Sequence, residues 1–184
     1  MAQKDFQQVR NLLLKLGNME VSAEQHRIGL AQFGQTTKVE FLLNVHQTKE
    51  QTVNALRRFR VRPNGPRNLG SALDFARTQF FNKTAGGRAN QGYRQFLVVL
   101  TGGLSNDPVI GASRLVRAEG VSMVAVATDP NSVTELKSLA PHVYMSQDTN
   151  IVSTLRNLFE TEEEILLSAG EGLKHNLTIK PMFV

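Results

Sequence analysis

Apolar residues recur at helical spacing near the start of the chain. In "KDFQQVRNLLLKLGN", Phe6, Val9, Leu12, Leu13 and Leu16 fall on one stripe, and Gly17 follows as a natural C-cap. Two strand-like runs come next, "HRIGLAQFG" and "TKVEFLLN", and the "GQT" between them predicts a tight antiparallel hairpin. Helical spacing returns through Val53, Leu56 and Phe59, with Thr48 placed to cap the helix start. Beyond the breaker "RPNGP", Leu69, Leu73, Ala76 and Phe80 mark a further helix.

The run "RQFLVVLT" is short and continuously apolar, the pattern of a strand buried on both faces of a parallel sheet. "DPVIGASRLVRAEG" then predicts a helix with Asp107 as N-cap, Pro108 at its first position and Gly120 at its end. Strand "VSMVAVAT", helix "PNSVTELKSLA", strand "HVYMS" and helix "NIVSTLRNLFETEEEILLS" complete the series. From residue 94 onward the order is β-α-β-α-β-α. That alternation predicts an α/β fold: a doubly wound, mostly parallel sheet with one antiparallel edge strand and helices on both faces.

One strand is missing from this scheme, because the chain starts directly on a helix where a doubly wound domain opens with a central strand. Without it, two neighbouring strands would expose unpaired backbone over ~5 residues each. Only "HNLTIKPMFV" is left over as a β-like segment. Either the domain is truncated at its N-terminus, the preferred reading, or residues 177–180 are recruited as a substitute, with Pro181 confining such a strand to an edge or an end. The organisation expected is a domain over 1–164 and a tail or linker over 165–184.

Composition narrows the chemistry. A chain of 184 residues, 41% hydrophobic and 20% charged, forms one domain with a sizeable core. It has no cysteine, which removes disulfides, thiol catalysis and thiolate metal sites together. No apolar run approaches the ~20 residues that span a bilayer, so membrane insertion is not expected. Phosphate-binding glycine loops and a nucleophile elbow are absent, which removes the nucleotide-enzyme and hydrolase readings. His26, His46, His142 and His175 are scattered, without the paired spacing of a metal site. Glu160, Glu162, Glu163 and Glu164 spread around a helix as a solvated face.

The net charge of +5 is concentrated in "RRFRVRPNGPR", which carries Arg57, Arg58, Arg60, Arg62 and Arg67. These guanidinium groups suit a sulfated glycosaminoglycan, or they simply favour the negative end of a helix dipole. No aromatic platform or nucleic-acid motif accompanies them, so no nucleic acid is expected.

The segments "RIGLAQFGQTTKVEFLLN", "NLGSALDFA", "AGGRANQGYRQFLVVLTGGLSND" and "AEGVSMVAVATD" together resemble a von Willebrand factor type A domain, and in particular the N-terminal array modules of collagen VI α chains. The resemblance runs from residue 4 to about residue 164. It implies a metal-ion-dependent adhesion site built from three loops: an Asp-x-Ser-x-Ser element, a Thr before a helix, and an Asp after a strand. A magnesium ion needs octahedral oxygen ligands at about 2.1 Å, so each oxygen matters. Here the first element is absent with its strand, "GPRNLG" offers Pro66 and Arg67 where the Thr falls, and "TGG" puts Gly102 where the Asp falls. A cation would meet only backbone carbonyls such as those of Thr101 or Asn68, with Asp107 and Asp129 the remaining nearby carboxylates.

The resemblance therefore implies a degenerate site with no metal and no cofactor, and Arg67 occupying the vacated space through hydrogen bonds to exposed carbonyls. It further implies a secreted, non-catalytic module of the extracellular matrix that contacts other matrix proteins or neighbouring A-type domains. "NKT" at Asn82 and "NLT" at Asn176 fit N-glycan acceptors for such a protein.

Overall fold

Burial along the segment Arg94–Thr101 shows how the molecule is layered. Phe96, Val98 and Leu100 join one buried apolar cluster, while Leu97 and Val99 join another. Successive side chains of a strand point to opposite faces, so this strand has a core on each side. The computed structural model describes residues 3–18, 26–60, 65–168 and 177–183. In chain order the elements are α1 (Gln3–Leu16), β1 (Leu30–Phe33), β2 (Thr37–Phe41), α2 (Lys49–Arg58), α3 (Leu69–Phe75), β3 (Arg94–Thr101), α4 (Ile110–Ala118), β4 (Val121–Ala127), α5 (Val133–Leu139), β5 (His142–Met145), α6 (Ile151–Ser168) and β6 (Leu177–Phe183).

The strands form one sheet in the order β2-β1-β6-β3-β4-β5. Only the β1–β2 pair is antiparallel, at the edge, as the hairpin pattern predicts. One face is covered by Leu12, Leu13 and Leu16 of α1, Leu56 of α2 and Leu155 and Phe159 of α6. The other is covered by Leu69 and Leu73 of α3, Val116 of α4 and Leu136 of α5. The doubly wound reading of the sequence is therefore the architecture observed.

Local signals also act where they stand. The Thr48 hydroxyl accepts a hydrogen bond from the Gln51 backbone N–H at 3.3 Å, capping α2. Gly17 N–H donates to the Leu13 carbonyl at 2.7 Å and ends α1. The helix from Leu69 loosens into a π-helical turn over Ala76–Phe80, and Phe80 is buried there.

Two expectations need correction. Residues 177–183, assigned to a tail, form β6 in the middle of the sheet, parallel to both neighbours. The β3 register runs from Arg94↔Leu177 to Leu100↔Phe183, and on the other side Ala31 pairs Met182 and Gln32 pairs Phe183. Recruitment of a substitute strand, rather than an open gap, is what the structure contains. Pro181 is likewise not at an edge: it stands opposite Val98, inside the sheet. One missing N–H donor costs less than leaving β1 and β3 with unpaired edges, so the gap outweighs the proline.

The Phe96 and Phe159 rings meet edge to face with centroids 4.9 Å apart, and both residues are fully buried. Phe159→Ala is expected to destabilise the fold by about 3–5 kcal/mol, read from the midpoint of urea unfolding.

Candidate functional site

In an open α/β sheet, ligands meet the loops beyond the carboxyl ends of the strands. Here these loops follow β3, β4 and β5, beside the start of α3. The β3 strand is followed directly by Gly102 and Gly103, and a side chain on either would crowd a neighbouring side chain. A Cβ on Gly102 would lie 2.7 Å from the Thr128 hydroxyl, and one on Gly103 would lie 2.6 Å from an Nη of Arg67. Thr128 is buried and its hydroxyl has no hydrogen-bond partner. The place where an acidic side chain would begin is thus filled by a neutral hydroxyl, and the adjacent place by a guanidinium.

Arg67 is fixed on several sides. Its Nε donates to the Leu104 carbonyl at 3.3 Å, and its backbone N–H donates to Asn106 Oδ1 at 2.7 Å. Its own carbonyl accepts from Asn106 N–H at 2.7 Å and from the Ser105 hydroxyl at 3.0 Å. The carbonyl that it takes is therefore that of Leu104. The Thr101 carbonyl already accepts from Thr128 N–H, and that of Asn68 from Ala72 N–H. Pro66, just before it, is exposed.

Asp107 has a role different from the one its sequence context predicts. The helix expected to start there begins at Ile110, with Val109 as its N-cap. The Asp107 carboxylate instead reaches back to α3, accepting from Gly70 N–H, Ser71 N–H, the Ser71 hydroxyl and the Ser105 hydroxyl, each at 2.7 Å. The physical reason lies in Asn68. It holds the N-cap position of α3 but makes no side-chain cap, and its amide N–H group donates to the Gln35 carbonyl instead. Two N–H groups at the helix start are left for a carboxylate from elsewhere. Gly70 permits this approach: a Cβ there would collide with the Pro108 carbonyl. Burial alone would raise the Asp107 pKa, but the hydrogen bonds from Ser71, Ser105 and Gly70 outweigh it and hold the pKa below the ordinary value.

The other carboxylates of these loops are also committed. Asp129 accepts from Asn131 N–H at 2.9 Å, and Glu135 accepts from Ser105 N–H at 2.9 Å. Among the described residues, no group of three acidic or histidine side chains converges as a cation cage.

The remaining candidates separate. Arg60 donates to the carbonyls of Arg57 and Phe59, and Arg10 also donates to Arg57, so cations close the C-terminal end of α2. Arg57 and Arg58 are exposed on that helix, while the Arg67 guanidinium lies against the turn after β3. Arg62 lies outside the described residues. His46 packs edge-on to Phe41 at 4.7 Å, and burial lowers its pKa. His142 stacks on Tyr144, and His26 lies in the segment entering β1. The Asn82 side-chain nitrogen donates to the carbonyls of Thr78 and Gln79, and its oxygen accepts from the Thr84 hydroxyl and Ala85 N–H, so this amide closes the end of the π-helical turn. Asn176, His175 and the side chains of Glu160, Glu162, Glu163 and Glu164 lie outside the described residues.

Sequence similarity fits this geometry. The family profile of the von Willebrand factor type A domain matches residues 1–161. The chain belongs to the von Willebrand factor type A family. It is 34% identical over 146 residues to the collagen alpha-4(VI) chain of Mus musculus, and 28% identical over 163 residues to matrilin-1 of the same species. Those alignments cover 79% and 85% of this chain, but the chain spans only 6% and 32% of those relatives. Among solved structures, proximal thread matrix protein 1 from the mussel byssus superposes with a TM-score of 0.74 at 25% identity, over 85% of this chain and 42% of that one. No helix of the described residues is long and apolar enough to cross a membrane.

Replacing Asp107 removes four acceptor contacts at once. Asp107→Ala is expected to cost about 1–3 kcal/mol in chemical unfolding, as two helix N–H groups lose their partner. Because the folded pKa is depressed, the carboxylate's contribution is complete above the ordinary carboxylate range and is lost as the pH falls through the lowered value. Asp107→Asn should therefore flatten the loss of thermal stability seen below about pH 4.

Proposed function

We propose that this A-type domain is a non-catalytic interaction and assembly module of the secreted extracellular matrix, and that its upper loops work without a divalent cation. The observation that carries the reading is the Arg67 guanidinium seated against Gly103, beside a strand end with no acidic side chain. A guanidinium in this position repels a divalent ion, and the Asp107 and Asp129 carboxylates are already engaged by N–H or hydroxyl donors. This donor set does not fit octahedral oxygen coordination. What the loops do present is an Arg whose Nη groups have no hydrogen-bond partner among the described residues and an exposed Leu104, a combination suited to protein contact. The partners proposed are other matrix proteins or neighbouring A-type domains, in keeping with similarity to a collagen VI chain and a matrilin.

A second reading takes Arg57 and Arg58, exposed and without an acidic partner among the described residues, as a grip for sulfated glycosaminoglycan. Heparin retention that falls steeply with salt, and is lost when Arg57 and Arg58 become Ala, would favour it.

Calorimetric titration with Mg²⁺ or Mn²⁺ is expected to give no binding tighter than about 1 mM. Association with a neighbouring A-type domain, followed by surface plasmon resonance, should be unchanged by EDTA and weaken at least about tenfold in Arg67→Ala. A chelator that abolishes the association overturns the metal-free reading.

A further inference from the structure

A cleft of roughly 280 Å³ opens between α1 and the loop after β5, on the sheet face that α1 and α6 cover. On α1, Gln8, Asn11 and Lys15 are spaced by three and four residues and share one stripe. Across from them stand Ser146, Asp148 and Thr149, while Leu12, Ile151 and Val152 add apolar surface. The walls are held in place. Arg156 Nη2 donates to the Lys15 carbonyl at 3.1 Å, Met145 N–H to Asp148 Oδ2 at 3.2 Å, and Gln147 Nε2 to the Thr128 carbonyl at 3.4 Å. Two atoms of this cleft are in an unfavourable state. Gln8 Oε1 and Ser146 Oγ are buried, and neither has a hydrogen-bond partner among the described residues. A polar atom withdrawn from water without a partner bears the desolvation cost of its group.

We propose that this cleft is a binding site for one neutral hexopyranose ring. Its volume lies just below the roughly 300 Å³ at which small-ligand pockets begin, which limits the ligand to a single ring unit. One ammonium, on Lys15, and one carboxylate, on Asp148, balance each other, so the cleft selects neither an anion nor a cation. The remaining polar groups are amides and hydroxyls, which pair with ligand hydroxyls because a hydroxyl both donates and accepts. A turn of the Gln8 terminal torsion and of the Ser146 hydroxyl brings both orphaned atoms onto the ring and ends their desolvation cost. The C–H face of the sugar covers Leu12, Ile151 and Val152. The cleft lies at the carboxyl end of β5, and its use does not depend on the function proposed for the Arg67 loops.

The test uses the full chain, isotope-labelled, and follows amide and side-chain NMR shifts during titration with the methyl pyranosides of glucose, galactose and mannose. Free hexoses and free alanine are titrated in parallel. At least one hexoside should shift the Ser146–Thr149 amides and the Gln8 side chain saturably, with a Kd tighter than about 10 mM. Binding of the methyl glycoside marks a glycan-borne ring as the source, and binding confined to the free hexose marks a free sugar. Gln8→Met and Ser146→Ala should each weaken that binding at least about fivefold while leaving the urea midpoint unchanged, because neither atom has a bond to lose on substitution. Absence of saturable shifts with every hexose overturns the proposal and leaves the cleft to water. Alanine binding tighter than any hexose overturns it too, as does binding that both variants retain in full.

Discussion

The backbone of β3 has to find hydrogen-bond partners along both of its edges, in an interior where water cannot supply them. Every residue from Gln95 to Thr101 is buried. An amide left unpaired there costs the full desolvation of that group, which is larger than the net worth of a typical hydrogen bond. One edge is satisfied by β4, whose pairing runs from Gln95↔Val121 to Thr101↔Ala127. The other requires a strand, and this requirement draws Leu177–Phe183 across the molecule despite a lysine and a proline in its middle. The two helical layers then follow, because a strand with a core on each face needs covering on both sides.

The same economy governs the loops above the sheet. Asp107 serves α3 from a position far along the chain, and in doing so joins the β3–α4 loop to the start of a helix on one face. Ser105 extends the link, donating to Arg67 and Asp107 while its N–H engages Glu135. Arg67, between these groups, is held by its backbone and its Nε together. The result is a polar roof whose acids are used up in holding loops in place. Among the described residues its cation has unspent hydrogen-bonding capacity, and its glycines leave space that neighbouring side chains have taken.

Much of this was legible in the sequence, and the exceptions share a cause. β3 could be read residue by residue because burial on both faces writes an uninterrupted apolar run into the chain. Thr48 could be read because its acceptor role involves a residue three positions away. Glycine at 102 and arginine at 67 could be placed by resemblance, but the choice of the Leu104 carbonyl over those of Thr101 and Asn68 depends on which carbonyls the fold has already used. Asp107 was misread because its real partners, Gly70 and Ser71, are distant in sequence, while a Pro at the next position imitates a local helix start. Residues 177–183 were misread because Lys180 and Pro181 argue locally against an interior strand, and only the need of β1 and β3 for a neighbour argues for it.

The position of β6 also orders events in time. β1 and β3 receive their shared neighbour from residues 177–183, so the two halves of this sheet stay divided until that segment has been synthesised. During synthesis the hairpin and the β3–β5 half wait as separate pieces with open edges, a window in which chaperones or mispairing with a neighbouring nascent chain compete with completion.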